Sequence, residues 1–211
     1  MNTSVSDQAI YTLRHAAIDF GKRRIIAGRM DPPINPEGVD QIKQMLAAGV
    51  PLEYKLVVSS PLRRALQTAT LVTGLTTDQM ITSYLCMERN YGRLEGVEPK
   101  ERAKVQPSTY YVSVGGVEHS LNPPDGETLE QLRDRVITFH DFVRSLKVED
   151  VLIVSHGTFL AQYHGYLRGL DVYHSLESSV AYLELNAFRF RGDSLASEEQ
   201  LYLPEQPDQP W

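Results

Sequence analysis

Four short stretches of this chain carry side chains able to handle a phosphoryl group. Arg14-His15 closes an apolar run, Arg63-Arg64 follows Ser59-Ser60-Pro61, Glu88 stands in Met87-Glu88-Arg89-Asn90-Tyr91-Gly92, and His156 stands in Ser155-His156-Gly157. An unprotonated imidazole is a usable nucleophile near neutral pH. Its attack on a phosphate monoester is opposed by charge, so cations must hold the phosphoryl oxygens. The planar fork of arginine donates paired hydrogen bonds to such oxygens. Phosphoryl transfer demands mainly positioning and charge stabilisation, which two histidines and two arginines can supply without a metal. The leaving alkoxide also needs a proton, and a carboxylic acid such as Glu88 can give it. Taken singly each stretch has a plainer reading: a polar residue at a strand end, an exposed cation, a solvated carboxylate.

Those residues act together only if the fold gathers them. Ala9 to Leu13, Tyr54 to Ser59 and Val151 to Val154 read as buried strands, and Met80 to Leu85 as a shorter one. Asn35 then Pro36 reads as an N-cap and first helical residue, with Val39, Ile42, Met45 and Leu46 at helical spacing and Gly49 as the stop. Ser60-Pro61 opens the next helix, and a short one is expected over Lys100 to Lys104. Thr128 with Gln131 fits a capping box ahead of a long helix whose buried stripe is Leu129, Leu132, Val136, Phe139 and Val143. Glu127 reads as a charge at that helix start. Thr158 to Leu167 returns as a helix, and Ser179 to Phe190 alternates like a late antiparallel strand. Gln106 to Asp125 is poorly periodic and reads as a surface excursion, and the tail from about residue 203 as loose.

Strands alternating with helices predict an α/β three-layer sandwich, a mainly parallel sheet with helices on both faces and one antiparallel strand, formed by the whole chain 1–211 as one domain. In such sheets ligands bind beyond the carboxyl ends of the strands. Arg14-His15, Ser59-Ser60 and Ser155-His156 all follow predicted strands, so three separate segments aim polar groups at one edge.

Composition bounds the partners. The 211 residues hold 42% hydrophobic residues and a formal net charge of −6. No basic stretch is long enough to track a nucleic-acid backbone, and no apolar run approaches the ~20 residues that span a bilayer. Cys86 is the one cysteine, which precludes an internal disulfide or thiolate metal cluster. The first eight residues lack the apolar core of a signal peptide. A cytoplasmic protein with a small phosphorylated partner is expected; oligomeric state is left open.

The motifs in their order resemble those of the histidine phosphatase superfamily, in its phosphoglycerate mutase-like branch. The likeness rests on Leu13-Arg14-His15, on Ser59 to Ala69, on Glu88 to Gly96, on Gly126-Glu127-Thr128 and on Val154 to Gly157, and covers roughly Tyr11 to Arg168. The resemblance implies that His15 is the nucleophile and becomes a phosphohistidine, and that Arg14 and Arg64 grip the phosphate. It implies that His156 stabilises transition-state charge and that Glu88 is the proton donor. Gly157 and Thr158 would offer backbone amides at a helix start. The implied activity is a metal-independent phosphatase acting on a small phosphomonoester without a cofactor.

The chain also departs from that pattern. Ala16, Ala17 and Ile18 stand where the family usually has glycine, an acid and a hydroxyl, so Ala16 adds a methyl beside the expected phosphate. Gly21 stands where mutases often carry asparagine, and Arg29 in Gly28-Arg29-Met30-Asp31 can replace part of that donor capacity. Thr158-Phe159-Leu160-Ala161 differs from the mutases' Asn-Ser-Leu-Arg and favours hydrolysis, whereas Glu88 to Gly92 looks mutase-like. Mutase-type transfer and a non-catalytic member that only binds a phospho-ligand are the alternatives.

Overall fold

A computed structural model describes residues 7–105, 109–114 and 117–205. Its centre is a six-stranded sheet in the order β3-β2-β6-β1-β7-β8. The strands are β1 (Gln8–Arg14), β2 (Leu56–Ser59), β3 (Ile81–Thr82), β6 (Asp150–Ser155), β7 (Leu185–Arg191) and β8 (Ser194–Tyr202). The first four run parallel, and β7 and β8 are antiparallel. Every residue of β1 is buried, as expected of a strand covered on both faces.

Helices cover both faces. On one, α2 (Pro36–Ala47) and α3 (Arg63–Thr73) bring Ile42, Met45, Ala65, Ala69 and Val72 against Tyr11, Leu13, Val57 and Leu152. On the other, α5 (Leu129–Ser145) and α6 (Gly157–Leu167) bring Val136, Phe139, Phe159 and Tyr163 against Ile10, Val58, Val151 and Ile153. Alternate residues of one strand thus feed the two cores. No helix among the described residues is long and apolar enough to cross a membrane.

Local signals placed most of these elements. The Asn35 side chain accepts a 2.8 Å bond from Gly38 N, Pro36 opens α2, and Gly49 follows its end at φ 65°. Thr128 and Gln131 form the expected capping box, and the five predicted stripe residues of α5 are all buried.

Several elements differ from expectation. α3 starts at Arg63, because Ser60 to Leu62 form a turn in which Ser60 Oγ accepts from Leu62 N. The expected strand over Met80 to Leu85 shrinks to β3, and Tyr84–Cys86 turn into a 3₁₀ helix capped by Ser83. The expected helix at Lys100 begins as a 3₁₀ turn at Pro99–Glu101 and continues as α4 (Arg102–Val105). Within the Gln106 to Asp125 excursion, β4 (Tyr111–Val114) pairs antiparallel with β5 (Val117–Ser120), while 106–108 and 115–116 lie outside the described residues. The link after β1 holds α1 (Asp19–Lys22).

The sheet has a second antiparallel strand that the sequence reading lacks. β8 returns from β7 through Gly192-Asp193, with Gly192 at φ 64° as a glycine-first two-residue hairpin requires. Of the tail expected to be loose, residues 206–211 lie outside the described residues.

Phe139 is fully buried and meets Phe159 and Tyr163 edge-on at ring-centroid distances of 5.4 and 5.7 Å. Phe139→Ala is expected to cost about 3–5 kcal/mol of unfolding free energy in urea titrations. A loss below about 1 kcal/mol would show that the α5–α6 layer repacks around the gap.

Candidate active site

The sheet register decides which side chains meet. Arg14 pairs with Ser155 and Ser59 with Val154 across adjacent parallel strands. The chain therefore leaves β1, β6 and β2 at neighbouring points, and His15, His156 and Ser60 follow directly. Backbone bonds seal these exits: His15 N donates to Ser155 O at 2.9 Å and Ser60 N to Val154 O at 3.0 Å.

His15 is buried, and its two ring nitrogens have partners of opposite kind. Nδ1 lies 2.8 Å from Ala16 O, which can only accept, and Arg64 Nε, which can only donate, points at Nε2 from 3.2 Å. The pair fixes the neutral tautomer: Nδ1 carries the proton and Nε2 the lone pair. Burial, then the Arg64 and Arg14 guanidinium groups, holds the pKa of His15 well below the usual histidine value. The ring is neutral at pH 7.

Arg64 is almost fully buried in the first turn of α3, and Arg63 beside it is exposed. The Nη1 and Nη2 groups of Arg64 donate at 2.7 Å to Met30 O and Gly28 O. Those two carbonyls flank Arg29, so Arg64 also fixes the turn that carries it. Burial lowers the Arg64 pKa, opposed by the nearby Glu88 and Asp31 carboxylates.

Arg14 donates through Nη1 to Val180 O and lies over the Tyr182 ring, 4.0 Å from its centroid. His156 is fully buried with its ring 5.1 Å from that of His15. Its Nε2 pairs with Ser60 Oγ at 2.7 Å, and its buried Nδ1 has no partner among the described residues. An orphaned buried nitrogen beside two arginines suits a group that arrives from outside. Burial, then Arg64, His15 and Arg14, holds the His156 pKa well below its usual range.

Glu88 closes the other side. Its Oε1 accepts from Arg89 N at 2.8 Å and Phe159 N at 3.1 Å, and its Oε2 from Thr158 N at 3.2 Å. A carboxylate at the start of α6 satisfies orphan amides and the helix dipole together. The Thr158 amide, expected to face a phosphate, is thus bonded to Glu88. At Gly157 space is tight: a Cβ there would lie 3.0 Å from Arg14 Cζ, so a larger residue would press on that guanidinium. Arg29 lies beside Glu88, with Nε 3.5 Å from Glu88 O and Nη2 4.0 Å from Glu127.

Supporting residues escaped the sequence reading. Arg135 donates to Leu85 O, Met87 O and Glu88 O, and its Nε and Nη2 grip the two Glu127 oxygens at 2.8 and 2.7 Å. Glu127 is therefore an ion-pair partner, and more than a helix-start charge. Arg89 is fully buried and spends its guanidinium on the Glu127, Ser120 and Leu121 carbonyls, tying the β4–β5 excursion to this loop. Tyr91 Oη and Thr158 Oγ1 pair at 2.7 Å.

The Ala16 departure is accommodated away from the pocket. Ala16 is buried in the α2–α3 core, has no left-handed φ, and packs against Gly38, where a Cβ would stand 3.2 Å from the Ala16 methyl carbon. At Gly21 the space for a side chain is filled by Tyr182, whose hydroxyl oxygen would lie 2.6 Å from a Cβ there.

A family model described as the histidine phosphatase superfamily (branch 1) matches residues 10–200. The chain belongs to the histidine phosphatase superfamily. It is 29% identical over 150 residues to an uncharacterized phosphatase, PhoE, of Bacillus subtilis strain 168, covering 71% of this chain and 72% of that one. It is 26% identical over 204 residues to a 2,3-bisphosphoglycerate-dependent phosphoglycerate mutase of Azorhizobium caulinodans, covering 92% and 98% of the two chains. The fold matches the alpha-ribazole phosphatase of Shigella flexneri with a TM-score of 0.72 at 18% identity, over 91% of this chain and all of that one. Histidine phosphatase superfamily membership makes this a phosphatase or a related phosphoryl-transfer enzyme.

Histidine burial has a measurable cost. His164 pairs with Thr12 Oγ1 under the sheet at 2.8 Å, and burial takes its pKa down to about 3. His15, His156 and His164 are all neutral when folded at pH 6, whereas their unfolded forms take up protons near pH 6.5. The unfolded chain then binds more protons, so stability falls as pH drops through about 6.5. Urea unfolding should show a loss of ~1 kcal/mol per buried histidine between pH 7.5 and 5.5. Equal stability at both pH values would show that these rings take up protons in the folded protein as readily as in the unfolded one.

Proposed function

We propose that the protein is a phosphomonoesterase that works through a phosphohistidine on His15. The observation that carries this is the pair of contacts fixing the His15 tautomer, which leave the Nε2 lone pair beside Arg64 Nε at 3.2 Å. A phosphoryl group entering there replaces a contact between Arg64 and nitrogen with one between Arg64 and oxygen.

In the first step Nε2 attacks phosphorus and the bond to the ester oxygen breaks. Arg14 and Arg64 hold the equatorial oxygens, and His156 adds a donor as the incoming dianion raises its pKa. The leaving alkoxide takes its proton from Glu88, which enters this step as the protonated acid and leaves it as the carboxylate, through Oε2, the oxygen 3.2 Å from Thr158 N. In the second step the Glu88 carboxylate takes a proton from water as its oxygen attacks phosphorus, and the bond to Nε2 breaks. Inorganic phosphate leaves and His15 is restored. The substrate class is a small phosphomonoester, with Arg29, Gly157 and Thr158 at the rim where its organic part would lie. These residues need no cofactor for either step.

A second reading has support of its own. The likeness to the Azorhizobium mutase runs nearly the whole length of both chains, and in a mutase the phosphoryl group returns to the organic substrate. Purified protein with EDTA, p-nitrophenyl phosphate and a panel of alkyl phosphates including 3-phosphoglycerate separates the two. Release of free phosphate, reduced at least about a thousandfold in His15→Ala, is expected. Isomerised phosphoglycerate with little free phosphate would establish the mutase, and phosphate binding without turnover the non-catalytic reading. Glu88→Gln is expected to slow alkyl phosphates about a hundredfold more than p-nitrophenyl phosphate, because only alkoxides need the proton. Equal losses for both classes would remove Glu88 from the acid role.

A further inference from the structure

Gly21 and Tyr182 explain each other. Gly21 has no left-handed φ, so its turn does not call for glycine. Space does: a Cβ there would stand 2.6 Å from the Tyr182 hydroxyl oxygen and 3.2 and 3.3 Å from two ring carbons. The ring is buried and stacked on Arg14, so relieving the collision means shifting the ring against that guanidinium.

Tyr182 is buried between the elements of the site. Its ring centroid lies 4.0 Å from Arg14 Cζ and 5.5 Å from that of the His15 ring. The same segment binds Arg14 from two further directions. Val180 O accepts from Arg14 Nη1, and Leu183 N donates to Arg14 O at 3.1 Å. Leu183, the next residue, is fully buried at φ 57°, a left-handed conformation that costs a leucine energy. The chain bears that strain while turning Tyr182 beneath the guanidinium. A planar cation stacked on a ring in a buried site is held in orientation as well as in place.

We infer that Tyr182 is a positioning residue for phosphoryl binding: its ring sets the plane of Arg14, and Gly21 is the vacancy that lets the ring lie there. This rests on the reading that Arg14 grips the phosphoryl group. The sequence offers no hint of it, since the two residues are far apart in the chain and lack a shared motif.

The test is calorimetric binding of inorganic phosphate to the full-length protein, alongside KM and kcat for p-nitrophenyl phosphate. Tyr182→Leu removes the ring face, and Tyr182→Phe keeps it. Tyr182→Leu is expected to weaken phosphate roughly ten- to thirtyfold and to raise KM by a similar factor, while Tyr182→Phe retains most of the affinity. Gly21→Ala should weaken phosphate by pushing on the hydroxyl, and adding Tyr182→Phe should recover much of the loss. Folded Tyr182→Leu protein with wild-type phosphate affinity overturns the inference, as does Tyr182→Phe losing as much as Tyr182→Leu. If Tyr182→Leu does not fold, the Gly21 pair decides: unweakened binding in Gly21→Ala, or no recovery in the double variant, overturns it. Wild-type protein that binds no phosphate overturns the phosphoryl-transfer reading beneath it instead.

Discussion

The register of three parallel strands governs everything else in this molecule. Because Arg14 sits opposite Ser155 and Ser59 opposite Val154, the residues that follow them emerge side by side at one sheet edge. A slip of one residue would turn Arg14 over to the other face and carry the core residues of β1 with it. The buried side chains on both faces of β1 forbid that slip, since each face already meets its own helix layer. The cores therefore hold the geometry of the candidate site as well as the fold, and its histidines, Arg14 and Arg64 sit on strand ends and helix starts, which are stiffer than the loop that carries Glu88.

The second constraint is electrostatic. Arg14 and Arg64 stand beside the two histidines while Arg89 and Arg135 brace the Glu88 loop, and burying cations is costly unless their donors are satisfied. Arg89 is satisfied by backbone carbonyls and Arg135 by Glu127 and carbonyls. Arg64 bonds to two carbonyls and to a neutral histidine, and to no carboxylate among its described hydrogen bonds. Carbonyl partners meet the hydrogen-bonding need through dipoles, and the Glu88 and Asp31 carboxylates offset the charge from farther off. Burial, and then this field, keeps His15 unprotonated, so one arrangement both suits a dianion and leaves the Nε2 lone pair free for the proposed attack.

Much of this was readable in the sequence, for physical reasons that differ by element. The stripe of α5 obeys a helical period, and Asn35, Pro36 and Thr128 are short-range end signals, so they need no tertiary information. The strand-then-polar pattern at Arg14-His15 and Ser155-His156 declares a sheet edge once the parallel class is recognised. β8 was not readable, because an edge strand of serines and glutamates has no apolar alternation to show. The pairing of Glu127 with Arg135 was not readable for a related reason: Arg135 lies two turns along the helix, and nothing in the spacing says that both turn inward to the Glu88 loop. Ala16 looked like an intrusion into the pocket only because the chain's direction there, toward Gly38 and the α2 core, is a tertiary fact. The meeting of Gly21 with Tyr182 is of the same kind.

The central claim is that the Nε2 lone pair of His15 takes the phosphoryl group. The most direct measurement is rapid quenching of the protein during turnover of a phosphomonoester, followed by peptide mass spectrometry under basic conditions that preserve phosphohistidine. The account predicts an acid-labile phosphoryl group on the peptide containing His15, attached at Nε2, and absent from His15→Ala. Turnover with no label on that peptide, or with the label on another side chain, would contradict it.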